Sequence, residues 1–382
     1  MRTCFIHVGT HKTGTTSIQA TLASHPTELA RAGYIYPSTG RSGTSTAHHN
    51  TAFQLLSDDR FCEDGGALEE LLDAIGKSEL DVILSSEEFT RALHFNNADF
   101  SKFIYNIRGI CPRTTLIIYL RRQDSYIRSA YFERLKSGFT LTFEEYAMKR
   151  LDFDLREFPL DYSRLLAAAD FPGVEMIVRS YDAVRDGLVV SDFLKILGLN
   201  PSEFRADATV NVEQPLTATF GQYYQNRMGR LPTEAERQII DAIIPSFSSS
   251  KLRMGEAIRA AVARRFEQSN KDIAMRLGLP ELVEGTPSKA ETGFAIDPIF
   301  SAELPIAVCA LAGMKERLDR TDVALAEAQS LAIERFHEIK SLQERLDRTN
   351  GSLSEAQSLA IERFHEIAHL RETLNRKDAA EQ

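Results

Sequence analysis

The sequence predicts a P-loop-like three-layer α/β domain with a parallel central sheet, a helical C-terminal part and then a coiled coil. Three observations carry that expectation. Short β-branched or aromatic runs alternate with helical patterns through the first half of the chain, the order from which parallel sheets are built. Runs such as Leu116–Leu120 are apolar throughout, which suits strands covered by helices on both faces. The end of the chain repeats itself at a whole number of heptads, as a coiled coil requires.

Strands are expected at Thr3–Val8, Tyr34–Tyr36, Asp81–Ser85, Thr114–Leu120 and Val174–Val178, with helices at Thr15–Ala23, Ala67–Ile75, Ala98–Ile107 and Asp124–Lys136. From Pro215 to about Val283 the pattern is mostly helical, and Glu284–Asp297 has the Gly, Pro and Ser content of a linker. The expected organisation is a globular domain over 1–285, a linker over 286–312 and a coiled coil over 313–382. In that last part the segment starting at Glu316 returns 28 residues later at Glu344. Leu318, Leu325, Ala332, Ile339, Leu346, Leu353, Ala360, Ile367 and Leu374 fall seven apart and form one seam. Self-association or a partner helix is expected there.

With 382 residues, 43% of them hydrophobic, the chain can bury a substantial core. A net charge of -9 argues against bulk binding to nucleic acid or an anionic membrane, since both need a basic surface. Any anion site must be local. The four cysteines, Cys4, Cys62, Cys111 and Cys309, lie far apart without metal-type spacing, so reduced thiols are expected, with no disulfide framework and no metal. The opening MRTCFIHVG reads as a strand without the apolar core of a secretory signal, so a cytoplasmic protein is expected. No membrane span is expected either: Pro305–Gly313 falls well short of ~20 residues.

Chemistry concentrates at the ends of the expected strands. Gly9-Thr10-His11-Lys12-Thr13-Gly14-Thr15-Thr16-Ser17 joins the first strand to a helix, where backbone N–H groups and the helix dipole favour a phosphate. A nucleotide triphosphatase loop places its lysine directly after the second glycine; here Thr15 stands there, and the lysine is Lys12. Lys12 is suited to a bridging oxygen, and the Thr and Ser hydroxyls add neutral donors. An ordinary strand-to-helix turn capped by Thr and Ser is the plain alternative.

Arg121, at the end of the fourth strand, and Ser129, on the following helix, can converge on a second anion at the same sheet edge. Ser86-Glu87-Glu88-Phe89 follows the third strand and puts acids beside both anion motifs, a costly placement that suggests a task. A carboxylate whose pKa is raised by partial burial can act as a base. His48 and His49, in STAHHNTAF, are the other candidates for a base or for acceptor contacts.

The stretch FIHVGTHKTGTTSIQ resembles the 5′-phosphosulfate-binding loop of the sulfotransferase superfamily, especially its bacterial HKTGTTS-type members, and Arg121 followed eight positions later by Ser129 is similar to that family's 3′-phosphate motif. The resemblance covers roughly the first 285 residues. It implies 3′-phosphoadenylyl sulfate as co-substrate, held by His11, Lys12, Thr13, Gly14, Thr15, Thr16 and Ser17 at one end and by Arg121 and Ser129 at the other. The reaction it implies moves a sulfuryl group to a hydroxyl, with a carbohydrate as first guess for the acceptor. SSEEF resembles members in which a glutamate after this strand replaces a histidine base. Glu87 is the favoured base, Glu88 is second, and His48 remains a candidate. Two other readings stay open: a P-loop small-molecule kinase, and a non-catalytic nucleotide-binding scaffold that displays the coiled coil.

Overall fold

A computed structural model describes residues 1–151, 160–184, 188–204, 216–243, 254–283 and 303–318, with isolated helical positions between 334 and 367. Five strands form one sheet in the order β2-β3-β1-β4-β5, every neighbouring pair parallel. They are β1 (Thr3–His7), β2 (Tyr34–Ile35), β3 (Asp81–Ser85), β4 (Arg113–Leu120) and β5 (Glu175–Ser180). The expected α/β class is therefore the observed one. Strand ends move by one or two residues, and β2 stops before Tyr36 because Pro37 has no N–H to continue a ladder.

Helices follow each strand: α1 (Thr15–Ser24), α2 (Pro26–Arg31), α3 (His49–Leu56), α4 (Leu68–Lys77), α5 (Glu88–Phe95), α6 (Asn97–Ile110) and α7 (Gln123–Lys136). Beyond them come α8 (Phe143–Leu151), α9 (Tyr162–Ala168), α10 (Tyr181–Val184) and α11 (Val189–Ile196). The alternation of strand side chains explains the layers. Phe5, Ile83, Ile117 and Tyr119 face one side and pack with Ile18 and Leu22 of α1 and Phe193 of α11. Cys4, Ile6, Leu84, Leu116 and Ile118 alternate with them and are fully buried. On that side α6 lies against β4 and supplies Phe100, Phe103 and Ile107. The strand order reverses across β1, so the loops after β1 and β4 open at the edge where such sheets bind ligands.

The chain divides into two compact units. The sheet lies in the first, made of Met1–Arg134, Tyr146–Gln214 and Val262–Glu291. The second comprises Leu135–Glu145, Pro215–Ala261 and Thr292–Gln382. The remaining helices are α12 (Leu216–Met228), α13 (Glu234–Ile243), α14 (Glu256–Leu277) and α15 (Glu303–Leu318), in keeping with the helical pattern after Pro215. In the second unit Phe220, Tyr223 and Tyr224 are fully buried, and Arg230 makes an ion pair of 2.7 Å with Glu236.

Residues 303–312, expected as linker, form the first turns of α15. Val308 and Ala312 are buried there, and packing against α12 and α13 outweighs the Pro and Gly signals around them. The linker segment Glu284–Asp297 and seam positions Leu325, Ala332, Leu353, Ala360 and Leu374 lie outside the described residues. Described tail positions are helical, with Ile339, Leu346 and Ile367 between 39% and 56% exposed. Among the described residues no helix is long and apolar enough to cross a membrane.

Candidate functional site

The Gly9–Ser17 segment leads from β1 into α1. Its path is fixed from below: Val8 N donates to Ile117 O at 3.0 Å and Thr10 N to Tyr119 O at 3.0 Å, extending the pairing with β4 past the strand end. Gly9 has φ 92°, and a Cβ there would meet the Glu87 Cβ at 2.9 Å. Only glycine allows that approach, which brings the loop against the end of β3. Gly14 (φ 77°) turns the chain into α1 without any side-chain cap, leaving first-turn N–H groups for a ligand.

Lys12 is the non-glycine residue of this loop with a left-handed backbone, φ 63°. Such a conformation costs roughly 1–2 kcal/mol and persists where surroundings over-determine it, commonly at functional sites. Here Arg121 supplies the constraint: its Nη1 donates to the Lys12 carbonyl at 2.7 Å. The Lys12 side chain is 28% exposed and pairs with Glu133 of α7 at 3.1 Å. Thr16 is exposed, whereas Thr15 is buried and Ser17 is half-buried. The buried hydroxyl of Thr13 donates to Thr10 O at 2.5 Å and serves to shape the loop.

The second motif converges with the first. Arg121 leaves β4 at the loop's flank, its guanidinium 5.1 Å from the Tyr181 ring centre, while Tyr162 OH donates to its carbonyl. Burial holds its pKa below the ordinary arginine value. Its Nε is buried without a partner, and so is the hydroxyl of Ser180, which ends β5 in register with Leu120. Two unpaired buried donors at one sheet edge fit an anion. Ser129 lies half-buried on α7. Arg122 is occupied elsewhere, paired with Asp124 at 2.5 Å.

The acids after β3 part company. Glu87 is half-buried, and Gln19 of α1 donates to its Oε2 at 2.8 Å and to Ser85 Oγ at 3.3 Å. Ser85 Oγ lies 2.8 Å from Nδ1 of the buried His7. Burial pushes the Glu87 carboxyl up, but His49, His11 and the Gln19 hydrogen bond together pull it down, and it ends below its ordinary value. The expected rise is thus reversed, because the site supplies more compensation than the sequence showed. Glu88 heads α5 and pairs with Arg91 at 2.7 Å and Arg60 at 3.6 Å, so it serves as an ion-pair anchor.

His48 is fully buried, with Nε2 3.0 Å from Pro37 O and Nδ1 accepting from Ser85 N at 3.2 Å. Burial pushes it down to about 3. With both nitrogens engaged it braces the loop. His49 is half-buried, its Nδ1 2.8 Å from Ser86 Oγ and its ring stacked on Phe53. Burial holds the half-buried His11 below its ordinary value, against the opposing pull of Glu87. Sequence reasoning missed Gln19, Glu133, Ser180 and Tyr181. Each reaches the site from another element, and no local pattern marks it.

No family model matches the chain. A protein of Archaeoglobus fulgidus described only as uncharacterized is 37% identical over 128 residues, which is 32% of this chain and 32% of that protein. The matched stretch therefore spans about a third of that relative. Among solved structures, a sulfotransferase from Alicyclobacillus acidocaldarius is similar with a TM-score of 0.34 and 19% identity, over 68% of this chain and 99% of that one. The functional reading rests on the site itself.

Proposed function

We propose that the chain transfers a sulfuryl group from 3′-phosphoadenylyl sulfate to a hydroxyl, with a carbohydrate as the first acceptor class to test. The observation that carries this reading is the 2.7 Å hydrogen bond from Arg121 to the Lys12 carbonyl, which sets two anion-binding motifs side by side. A nucleotide with anions at both its 5′ and 3′ positions uses both motifs. ATP uses only the first.

In the proposed reaction the acceptor oxygen attacks sulfur opposite the leaving phosphate. The new O–S bond forms as the bridging S–O bond breaks, and 3′-phosphoadenosine 5′-phosphate leaves. Lys12 meets the charge that grows on the bridging oxygen, first-turn N–H groups of α1 hold the 5′-phosphate, and Glu87 receives the hydroxyl proton. A carboxylate held below its ordinary pKa is ionised at neutral pH and ready to accept. It is a weak base, so the proton moves late, once bond formation has acidified the hydroxyl.

Calorimetry provides the test. The expected result is tight binding of 3′-phosphoadenosine 5′-phosphate and weak binding of ATP with or without Mg²⁺. Mg²⁺-dependent ATP binding that ignores the 3′-phosphate would favour the kinase reading instead.

We also propose that the tail pairs two chains. Ile339, Leu346 and Ile367 are exposed in the single chain, and the 28-residue repeat brings equivalent seam residues back after four heptads. Light scattering should give a dimer at micromolar concentration and a monomer after Ile339→Asp with Ile367→Asp. A monomeric full chain removes the pairing.

A further inference from the structure

Arg41 lies in the loop between β2 and α3, and like Arg121, which serves the other flank of the sheet, it differs from Arg60, Arg91 and Arg122 in meeting no carboxylate among the described residues. Arg60 is answered by Asp58 at 2.8 Å, Arg91 by Glu88 at 2.7 Å and Arg122 by Asp124 at 2.5 Å. Arg41 is half-buried and, among the described residues, pairs with no carboxylate; the one group that favours its charge is the Tyr36 phenol. Its Nη2 donates to Tyr36 O at 2.7 Å, its guanidinium sits 4.2 Å from the Tyr36 ring centre, and its Nε is buried without a partner. Taking a guanidinium out of water without an anion is unfavourable, and stacking on a ring offsets only part of that.

The surrounding loop holds the group in place. Gly40 donates to Gly65 O at 2.8 Å and accepts from Thr51 N at 3.2 Å, in a turn so tight that a Cβ would stand 2.2 Å from Thr51 Oγ1. At the loop's far end His48 N donates to Ser85 O at 2.8 Å, and the His48 ring accepts from Ser85 N. A charge fixed this way costs little further ordering when a ligand arrives.

Its position names the ligand's role. β2 and β3 are parallel neighbours, so the loop after β2 opens at the same edge as Glu87, and on the flank of β1 opposite to β4 and Arg121. Tyr36 feels the charges of both Arg41 and Glu87. Arg41 therefore stands on the proton-accepting side of the site, away from the motif assigned to the 3′-phosphate.

We propose that Arg41 binds an anionic group of the acceptor, which makes the acceptor an acidic saccharide bearing a carboxylate or an ester of sulfate or phosphate. This inference rests on the sulfuryl-transfer reading. Calorimetry on the full chain, with and without saturating 3′-phosphoadenosine 5′-phosphate, compares methyl β-glucuronide, the neutral methyl β-glucoside and inorganic sulfate. The glucuronide should bind about 10–100-fold more tightly than the glucoside, the range for one hydrogen-bonded charge. Arg41→Gln should erase that preference while nucleotide affinity stays at the wild-type level, which also shows that the variant is folded. Arg41→Lys should keep part of it.

Equal binding of the two glycosides, no binding of the glucuronide, or a preference that survives Arg41→Gln overturns the proposal. Inorganic sulfate binding as tightly as the glucuronide overturns it as well, because it marks a free-anion site. Failure to bind the nucleotide sinks the sulfuryl-transfer reading, and the nucleotide-free titration still reads Arg41 by itself.

Discussion

Lys12→Ala should lower the transfer rate by about 10²–10³-fold, the scale for removing one preorganised donor from a developing oxyanion. Nucleotide affinity should fall much less, because the loop's path is fixed by backbone bonds to β4 and by Arg121 on the Lys12 carbonyl. The pair with Glu133 does not oppose this, since it is largely exposed on the Glu133 side and such pairs contribute ~1 kcal/mol or less. Glu87→Gln should preserve nucleotide binding and slow transfer through the proton step. The pH profile identifies it. Its carboxyl lies below the ordinary value, so over the pH range in which the fold stands the wild-type acid limb should fall below the ordinary carboxylate range, where the group protonates. That acid limb should vanish in Glu87→Gln, whereas Glu88→Gln should weaken the Arg60 and Arg91 anchor and leave the profile's shape alone. Rates with labelled donor decide it: full activity in Glu87→Gln, together with loss in Glu88→Gln, moves the base to the neighbouring residue.

The parts legible in the sequence were those written by local pattern. LIIYL marked β4 because both its faces are buried, and the Gly9 and Gly14 pair marked a loop whose backbone needs positive φ. Asp192 in the first turn of α11 accepts from Tyr119 OH at 2.7 Å, a contact between elements that no local pattern announces. What sequence could not supply was the far partner. Thr10 O takes the Thr13 hydroxyl. Pro37 and Ser85 take both nitrogens of His48, and Arg91 and Arg60 close on Glu88, the second choice after Glu87. Arg41 carried no motif. Its significance comes from the carboxylate it does not meet, a property of the folded loop alone.

Acid should destabilise the fold, because two fully buried histidines, His7 and His48, stay neutral inside it. Burial pushes His7 down to about 4 and His48 down to about 3. In the unfolded chain both return to about 6.5. Between those values the unfolded state binds protons that the native state does not, so stability rises with pH across the window and falls as pH drops below about 6.5. Each group contributes at most about 1.4 kcal/mol per pH unit. Together they approach about 2.7 kcal/mol per unit, so a step from pH 6.5 to 5 removes up to about 4 kcal/mol from a total that is usually about 5–15. His11 and His94 are shifted in the same direction and steepen the loss. Asp58, Glu87 and Glu236 are held below their ordinary values, so their contributions are lost only at pH below the ordinary carboxylate range, whereas burial raises Asp182, which opposes the histidine loss as pH falls. Urea unfolding at pH 7 and pH 5, compared between wild type and a histidine variant, reads the histidine contribution against the opposing one of Asp182. His48→Gln should be less stable than wild type at pH 7, having lost the Ser85 and Pro37 contacts, yet flatter with pH by about 1.4 kcal/mol per unit. Equal pH dependence in wild type and His48→Gln, with an unchanged urea slope, would mean that the fold accommodates the His48 imidazolium charge, and the bracing role assigned to His48 would have to be abandoned.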